Sequence, residues 1–193
     1  MKPAGLTLKT DADGSGRDKT KLLVRDLRPA DFEDIVRYYY RFYDEVKENP
    51  LFGIVLAKER PSISEELRWF ADLYEGAARG DVFVSVAEVG GHAVGMCEVR
   101  TLGRRGSEVS HRGELGIAVS ADHRGKGAGS ALLRSTLGKC KGKLETVELT
   151  VFSKNEGAKR LYERFGFEKY GTRPSAVKRG KAHLDEDLMR LEL

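Results

Sequence analysis

The sequence predicts an α/β domain in which helices cover the faces of a mixed β-sheet. Two observations support this class. The first is a pair of strand-like runs, 82–89 and 93–100, separated by Gly90-Gly91, which is a strong hairpin signal. The second is the order strand, helix, strand, helix, strand that begins at residue 114. Helices interleaved with strands in this way pack against the faces of a sheet.

The first part of the domain is predicted to be one strand followed by two amphipathic helices. Residues 22–27 are apolar enough for a strand, and Pro29 suits the first turn of a helix. Apolar and aromatic residues then recur at helical spacing until Asn49-Pro50, which ends the helix. The second helix is predicted from the capping box Ser62-x-x-Glu65, and Gly80 lies just beyond its end.

An aromatic run in the first helix has two interpretations. Its members are Tyr38, Tyr39, Tyr40, Phe42 and Tyr43. Helical periodicity explains most of them as ordinary core packing with a solvated edge. The same run is also suited to line a substrate groove, and the sequence leaves both interpretations open.

The second part of the domain alternates strands and helices. A strand at 114–119 leads through a glycine-rich turn into a helix around 131–137, which Gly142 ends. The remaining predicted elements are a strand at 147–152, a helix at 156–165 and final strands at 167–171 and 188–193. This order predicts that helices connect successive strands in this half of the sheet.

Length and composition indicate one cytoplasmic domain with a short tail. The chain has 193 residues; residues 1–20 hold few apolar side chains, so we expect a mobile N-terminal tail before a domain at 21–193. The net charge is only +4 with both signs interspersed, which disfavours a nucleic-acid binder. No apolar run approaches the ~20 residues of a membrane span, and no secretory signal is expected. Cys97 and Cys140 are isolated, so neither a disulfide framework nor a metal site is predicted, and a reducing compartment is favoured.

The sharpest feature of the sequence is a glycine-rich loop between a predicted strand and a predicted helix. Gly125, Gly127 and Gly129 alternate with other residues just before an apolar helical run. Glycines leave backbone N–H groups unobstructed and a helix N-terminus adds partial positive charge, so the segment is suited to bind a pyrophosphate. Arg124 and Lys126 add cationic side chains. The spacing matches neither the Walker loop nor the dinucleotide fingerprint, and alone the loop is also compatible with a connection that binds no ligand.

Two motifs in this half of the chain carry a family resemblance. The residues Arg124-x-x-Gly127-x-Gly129 match the R/Q-x-x-G-x-G/A signature of the GNAT superfamily of acyl-CoA-dependent N-acyltransferases. After the next predicted strand, the run Asn155-x-x-Ala158-x-x-Leu161-Tyr162-x-x-x-Gly166-Phe167 resembles the second landmark of that family. Two motifs in the correct order and spacing are far more specific than either one. The resemblance covers roughly residues 22–193.

The resemblance implies both a fold and a co-substrate. The fold is a GNAT-type mixed, mostly antiparallel central sheet, splayed between its fourth and fifth strands, with helices on both faces. Acetyl-CoA would lie in the V-shaped opening, where backbone N–H groups of Ile117, Ala118 and Val119 would bind the thioester oxygen and the pantetheine amides. Asn155 either contacts the pantetheine arm or only caps the following helix. The predicted pyrophosphate loop consists of Arg124, Gly125, Lys126, Gly127, Ala128, Gly129 and Ser130.

Acetyl transfer to an amine needs a neutral nitrogen and a protonated leaving group. A lysine amine, with a pKa of ~10.4, is almost wholly charged at neutral pH, so a general base is useful. Glu114 is the candidate base and Glu98 the next carboxylate to consider, although a solvated strand-end carboxylate is the alternative for Glu114. By the resemblance, Tyr162 is the proton donor to the departing thiolate, whereas without it a packed aromatic is the ordinary interpretation.

No motif specifies the acceptor amine. We expect an acetyl-CoA-dependent N-acetyltransferase that acts on a primary amine, with a protein or peptide amine (N-terminal or lysine) slightly favoured because the composition is not strongly acidic. The alternatives are a small amine, such as a polyamine, an aminoglycoside or an amino acid, and a non-catalytic acyl-CoA-binding module. The sequence predicts no nucleic-acid or membrane partner and leaves the oligomeric state open, a homodimer included.

Overall fold

The computed structural model describes residues 21–104 and 106–193 of the chain, so the predicted tail at 1–20 lies outside the described residues. Within them are seven strands and four α-helices. None of these four helices is both long and apolar enough to cross a bilayer. Their bounds are β1 Leu23–Arg25, α1 Phe32–Glu48, α2 Ile63–Arg79, β2 Val82–Val89, β3 His92–Thr101, β4 Arg112–Val119, α3 Ala128–Cys140, β5 Thr146–Phe152, α4 Glu156–Arg164, β6 Glu168–Arg179 and β7 Ala182–Glu192.

The described strands form one sheet in the order β1-β2-β3-β4-β5-β7-β6. Every neighbouring pair is antiparallel except β4 and β5, which run parallel. β4 and β5 pair only between residues 112–114 and 146–148. Beyond these residues the two strands diverge and the sheet is splayed. The predicted fold class is confirmed, because the sheet is mixed, mostly antiparallel and splayed between its fourth and fifth strands.

Helices cover both faces of the sheet, and each face has its own hydrophobic core. On one face, α1 and α2 bury Ile35 and Leu73 against the sheet. On the other face, α3 and α4 pack with Leu132 at the centre of a second cluster. Side chains alternate along a strand, so Met96 of β3 belongs to the first core while its neighbour Cys97 belongs to the second.

Local sequence signals set several element ends as predicted. The Ser62 side chain accepts a hydrogen bond from the N–H of Glu65, and the Glu65 carboxylate accepts one from the N–H of Ser62 at 2.8 Å, which completes the capping box of α2. Gly80 ends the same helix in the left-handed conformation, with a φ of 81°. The Gly90-Gly91 turn joins β2 to β3.

The last two strands are much longer than the sequence predicts. Instead of short strands at 167–171 and 188–193, β6 and β7 form an extended hairpin over Glu168–Arg179 and Ala182–Glu192. Most of β6 is exposed, so it lacks the apolar alternation from which strands are predicted. Register irregularities also interrupt its pairing with β7, near Ser175, whose φ is 51°. Hydrogen bonding to β7, rather than burial, therefore defines this strand.

A buried carboxylate on β7, that of Asp187, links β6 to the end of β5 in the part of the sheet formed by β5, β7 and β6. Asp187 is 1% exposed and accepts hydrogen bonds from Ser153 at 2.7 Å, Thr172 at 3.0 Å and Lys169 at 2.8 Å. Burial alone would raise the pKa of Asp187, but these donors outweigh it and lower the pKa from 3.8 to about 2. The ionised carboxylate therefore stabilises the folded chain.

We expect Asp187→Asn to lower the free energy of unfolding near neutral pH by about 2 kcal/mol, since one unit of pKa corresponds to ~1.4 kcal/mol. Because the pKa is lower in the folded state, this contribution is complete above about pH 4 and fades as the pH falls towards about 2. Chemical denaturation near both pH values measures it. Asp44→Asn is the control, because Asp44 pairs with Lys47 on the surface and should contribute little. Equal losses in the two variants, or a pH-independent loss at Asp187, would contradict this role.

Candidate active site

The divergence of β4 from β5 creates a cleft with unpaired backbone on both walls. After Glu114, β4 pairs with β3 alone, so residues 115–119 have no strand partner on their β5 side in the described chain. The facing residues of β5, 149–152, pair only with β7. Backbone N–H and C=O groups at such edges need partners, and an extended ligand that contains amides supplies them. N–H groups alternate in direction along a strand, so of the predicted backbone donors Ile117 and Val119 face this edge. Ala118 is in phase with Ser120, whose N–H donates to Val94, and so faces β3.

At the open end of the cleft, the chain passes from β4 into α3 through the predicted glycine loop. Gly125 and Gly127 have φ values of 71° and 88°, in the left-handed region that favours glycine. A Cβ at either position would meet nothing within 4 Å beyond its chain neighbours, so the backbone there is open to a ligand. Gly127 is the N-cap residue of α3, and no side chain caps this helix. The N–H groups of its first turn, at Ala128, Gly129 and Ser130, are therefore available to an anion.

The two cationic side chains predicted for this loop have different environments. Arg124 turns back onto α1, where its guanidinium pairs with Glu45 and lies over the ring of Phe52. Its Nε also donates a hydrogen bond to the carbonyl of Val119 at 2.8 Å. Lys126, in contrast, is exposed. The charge of Arg124 is thus paired within the protein, whereas Lys126 and the glycines on either side of it are exposed, and the binding of a pyrophosphate there stays a prediction.

The second motif packs closely against the first. A Cβ at Gly129 would come within 3.2 Å of the Leu161 side chain, so this glycine lets α3 and α4 approach each other. Asn155 caps α4, because its Oδ1 accepts the N–H of Ala158 at 3.2 Å, and its amide also lies against Gly53. The predicted capping role is confirmed, and the contact of Asn155 with the pantetheine arm stays a prediction.

The loop between α1 and α2 bridges the two arms of the splayed sheet. Arg179, at the end of β6, donates hydrogen bonds to the carbonyls of Pro50, Phe52 and Ile54 at 2.8, 2.9 and 2.5 Å. Sequence reasoning missed Arg179. No motif marks it, because its acceptors are backbone groups between 125 and 129 positions away in the chain.

Tyr162 lies on α4 within the second hydrophobic core. It is 7% exposed, and its ring packs edge-on against Phe167 with the centroids 5.8 Å apart. Burial raises the pKa of its phenol well above the usual 10, so the group stays protonated across the neutral range. A protonated phenol is able to donate a proton to a leaving group. The packing of Tyr162 is therefore observed, and its role as the proton donor stays a prediction.

A cavity of about 560 Å³ opens on the other face of the sheet, beneath α1, α2 and the loop that joins them. Tyr38, Tyr39 and Trp69 form its aromatic wall, whereas Phe42 packs in the core. The aromatic run of α1 therefore contributes to both core and cavity, and its contact with a substrate stays a prediction. The cavity also reaches Ile117 and Ala118 on the unpaired edge of β4. Cleft and cavity therefore meet at this edge.

The two carboxylates considered as general bases share one sheet face but differ in position. Glu98 lines the cavity, and its Oε2 accepts a hydrogen bond from Nε of Arg100 at 3.0 Å. Burial raises the pKa of Glu98 more strongly than Arg100 lowers it. Glu114 is exposed and lies about 7 Å along β4 from Gly116, the residue opposite Glu98. Glu98 therefore lies in the cavity wall and Glu114 outside it, and a base role for either carboxylate stays a prediction.

Both cysteines are buried free thiols. Burial raises the pKa of Cys97 and of Cys140 to about 12. Thiols that are this weakly acidic are poor nucleophiles near neutral pH, which fits direct transfer without an acyl-enzyme. Over residues 21–104 and 106–193, no group of three or more His, Cys, Asp or Glu side chains is arranged to hold a metal ion.

Comparison with known proteins identifies a matching family and a curated relative. The model of the acetyltransferase (GNAT) family matches residues 29–167, which include the glycine loop and the second motif. The L-amino acid N-acetyltransferase AaaT of Escherichia coli (strain K12) is 33% identical over 78 residues. That match covers 39% of this chain and 48% of the relative, so the chain spans about half the length of the curated relative that it matches.

Solved structures share the fold at low sequence identity. A ribosomal-protein-alanine N-acetyltransferase from Brucella melitensis is 24% identical, with a TM-score of 0.73, over 89% of this chain and 99% of that chain. A GNAT superfamily phosphinothricin acetyltransferase from Sinorhizobium meliloti, solved in complex with AcCoA, is 22% identical, with a TM-score of 0.74, over 89% and 88% of the two chains. Identities in this range establish a common fold.

Proposed function

The chain belongs to the GNAT acetyltransferase family, and from this premise we propose that it transfers the acetyl group of acetyl-CoA directly to a primary amine. One observation carries the proposal, namely that the cleft between β4 and β5 meets the cavity beneath α1 and α2 at Ile117 and Ala118. A ligand extended along the cleft and an amine in the cavity would come into contact there. Such an arrangement suits a reaction between two bound substrates.

The residues present fit acetyl-CoA, which when bound supplies an acetyl group activated as a thioester. The fit rests on the open backbone at Gly125 and Gly127 and on the uncapped N-terminus of α3, which would hold the pyrophosphate. Lys126 would add a positive charge there. The backbone at 117–119 would pair with the pantetheine amides and polarise the thioester carbonyl.

Three proton transfers accompany the reaction. Glu98, from the cavity wall, or Glu114, through water, accepts one proton from the ammonium form of the acceptor so that its nitrogen becomes nucleophilic. After the nitrogen attacks the thioester carbonyl, it loses a second proton to solvent as the amide forms. Tyr162 donates its own proton to the sulfur as the carbon–sulfur bond breaks, and it then recovers a proton from solvent. The raised pKa of Tyr162 keeps it protonated for this step.

The acceptor is proposed as a primary amine on a small molecule or on a peptide. The known proteins named above are described as acting on L-amino acids, ribosomal-protein alanine and phosphinothricin, so they span both classes. A cavity of about 560 Å³ accommodates a small molecule or the end of a side chain. The preference for a protein or peptide amine that composition suggested therefore stays a prediction.

Release of free thiol from acetyl-CoA tests the function. The purified chain is incubated with acetyl-CoA and a panel that contains alkyl amines, diamines, amino acids and peptides with free N-terminal or lysine amines. We expect amine-dependent thiol release with at least one class, and an acetylated product of the matching mass. Thiol release that never exceeds hydrolysis, together with intact binding of coenzyme A, would instead indicate a non-catalytic acyl-CoA-binding module.

Gly127→Leu is expected to weaken the affinity for coenzyme A at least about tenfold, or about 1.4 kcal/mol. The φ of 88° at Gly127 disfavours any side chain, and a leucine there would project into the open space that the pyrophosphate is expected to use. Calorimetry on the folded variant measures the change. Gly138→Leu is the matched control, because Gly138 lies on the same helix, is exposed and has open space at its Cβ. Unchanged affinity in folded Gly127→Leu would refute the assignment of the loop.

A further inference from the structure

The acceptor cavity contains two buried polar atoms that lack partners. In the described part of the chain, the hydroxyl of Tyr38 and Oε1 of Glu66 are the buried side-chain oxygens without a hydrogen bond. Both residues are 5% exposed, and both line the cavity. A buried oxygen without a partner costs folding free energy, which is recovered only if a ligand or a trapped water supplies the hydrogen bond. The position of these atoms points to a group on the acceptor.

The charged groups around the cavity indicate the chemistry of that group. The carboxyl-bearing side chains in the lining are Glu65, Glu66 and Glu98, and no described lining residue is Lys, Arg or His. Arg100, which is not in the lining, is shared between Glu98 and Asp72, while Arg124 pairs with Glu45, so neither contacts Glu66. Burial and the neighbouring Glu65 both raise the pKa of Glu66, as expected for a carboxyl group held without a cation.

A carboxylate on the acceptor would be unfavourable in this cavity. It would be desolvated next to the unpaired carboxyl group of Glu66, and Arg100, which contacts the lining carboxylate of Glu98, is already shared between Glu98 and Asp72. An N–H donor would instead form hydrogen bonds with the unpaired oxygens of Tyr38 and Glu66. A cationic donor would also be attracted by the carboxylates. The aromatic and aliphatic walls suit an apolar spacer between this donor and the reacting amine.

From these contacts we propose that Tyr38 and Glu66 form a subsite for a second amino group, so that the preferred acceptors are diamines with an apolar spacer and no carboxylate. This inference rests on the proposed function, because one amino group must be acetylated at the edge of β4. The whole chain is slightly basic, with a formal net charge of +4, and the acidity is confined to the cavity. A local site of this kind leaves no trace in composition.

Three amines of equal chain length test the subsite. 1,5-Diaminopentane has both amino groups, pentylamine lacks the second, and lysine adds a carboxylate to the diamine. We expect kcat/KM to fall about tenfold from the diamine to pentylamine, and further still to lysine, since a site that hydrogen-bonds a donor discriminates against analogues that lack it. Lysine turned over as well as diaminopentane would overturn the proposal.

Two variants assign the preference to the subsite. Glu66→Gln and Tyr38→Phe should each reduce the ratio of kcat/KM for diaminopentane to that for pentylamine by about tenfold. Both should remain folded, because the atoms they alter make no hydrogen bond in the protein. Glu33→Gln, an exposed position on α1, is the control and should leave the ratio unchanged. An unchanged ratio in both cavity variants would also overturn the proposal.

Failure of the subsite and failure of the proposed function give different results. If no amine of the full panel yields thiol release, the proposed function fails, and calorimetric affinities of the three amines for the protein with coenzyme A still decide the subsite. The expected order is then diaminopentane, pentylamine and lysine, with the first difference lost in Glu66→Gln. Equal affinities would overturn the subsite independently of catalysis.

Discussion

Tyr162→Phe is expected to lower kcat by ~10²–10⁴-fold, the usual contribution of general acid catalysis, while the fold and the affinity for coenzyme A stay as in the wild type. The substitution removes only the hydroxyl, and the edge-on contact of the ring with Phe167 is kept. The raised pKa of Tyr162 means that the lost group is a protonated donor over the working pH range. Steady-state kinetics gives kcat, and calorimetry gives the affinity for coenzyme A.

Tyr170→Phe is the matched control for Tyr162→Phe. Tyr170 lies on β6 and is 51% exposed, so the loss of its hydroxyl should leave kcat unchanged. Water at the site could replace part of the function of Tyr162, which would place the loss near the lower end of the expected range. A kcat of Tyr162→Phe within twofold of the wild type at every pH would show that Tyr162 only packs in the core and donates no proton.

Glu98→Gln is expected to lower kcat/KM by ~10²-fold or more at pH values below the pKa of the acceptor amine. There the neutral amine is scarce, so the loss of a base has its greatest effect. At higher pH the acceptor supplies its own neutral amine, and the variant should converge towards the wild type. The measurement is a pair of pH profiles with one defined acceptor, accompanied by the affinity for coenzyme A at each pH.

The raised pKa of Glu98 adds a second expectation. A base must be ionised to act, so wild-type activity should decline as the pH falls through the pKa of Glu98. Because burial raises that pKa above the ordinary 4.5, the decline should begin at a higher pH than for an exposed glutamate. In Glu98→Gln the decline should instead follow the pKa of the acceptor amine.

Glu114→Gln separates the two candidate bases. Glu114 is exposed and outside the cavity lining, so we expect a smaller loss there than in Glu98→Gln. If the pH-dependent loss appears only in Glu114→Gln, the sequence-based assignment of the base to Glu114 is correct and a water relay carries the proton. Parallel pH profiles of both variants and the wild type would reject a base role for either carboxylate.

Much of the fold follows from signals that act over a few residues. Ser62 and Glu65 form a capping box because they are three positions apart on the first turn of α2. Gly90-Gly91 joins β2 to β3, and Gly127 is the N-cap residue of α3. These glycines adopt positive φ angles, which depend on the residue itself rather than on distant contacts. The position of the glycine loop follows from a motif that is local in sequence, whereas the splayed sheet was predicted only through the family resemblance that the two motifs carry.

Tertiary contacts decided which side chains the site contains. Arg124 belongs to the loop signature, and its guanidinium is held by Glu45, 79 positions away, a contact that the motif does not predict. Arg179 carries no signature and nevertheless fastens the loop over the cleft. The sequence favoured Glu114 as the base, whereas packing of α1 and α2 on the sheet places Glu98 in the cavity wall.

The predicted and the unpredicted features differ in how far apart in sequence their interacting residues lie. Caps, turns and helix N-termini depend on hydrogen bonds within one or two turns of chain, so the sequence by itself determined them. The acidic cavity with its unpaired Tyr38 and Glu66 exists only where α1, α2 and the free edge of β4 meet. Burial and electrostatic neighbours arise at that meeting, and only the tertiary structure decided them.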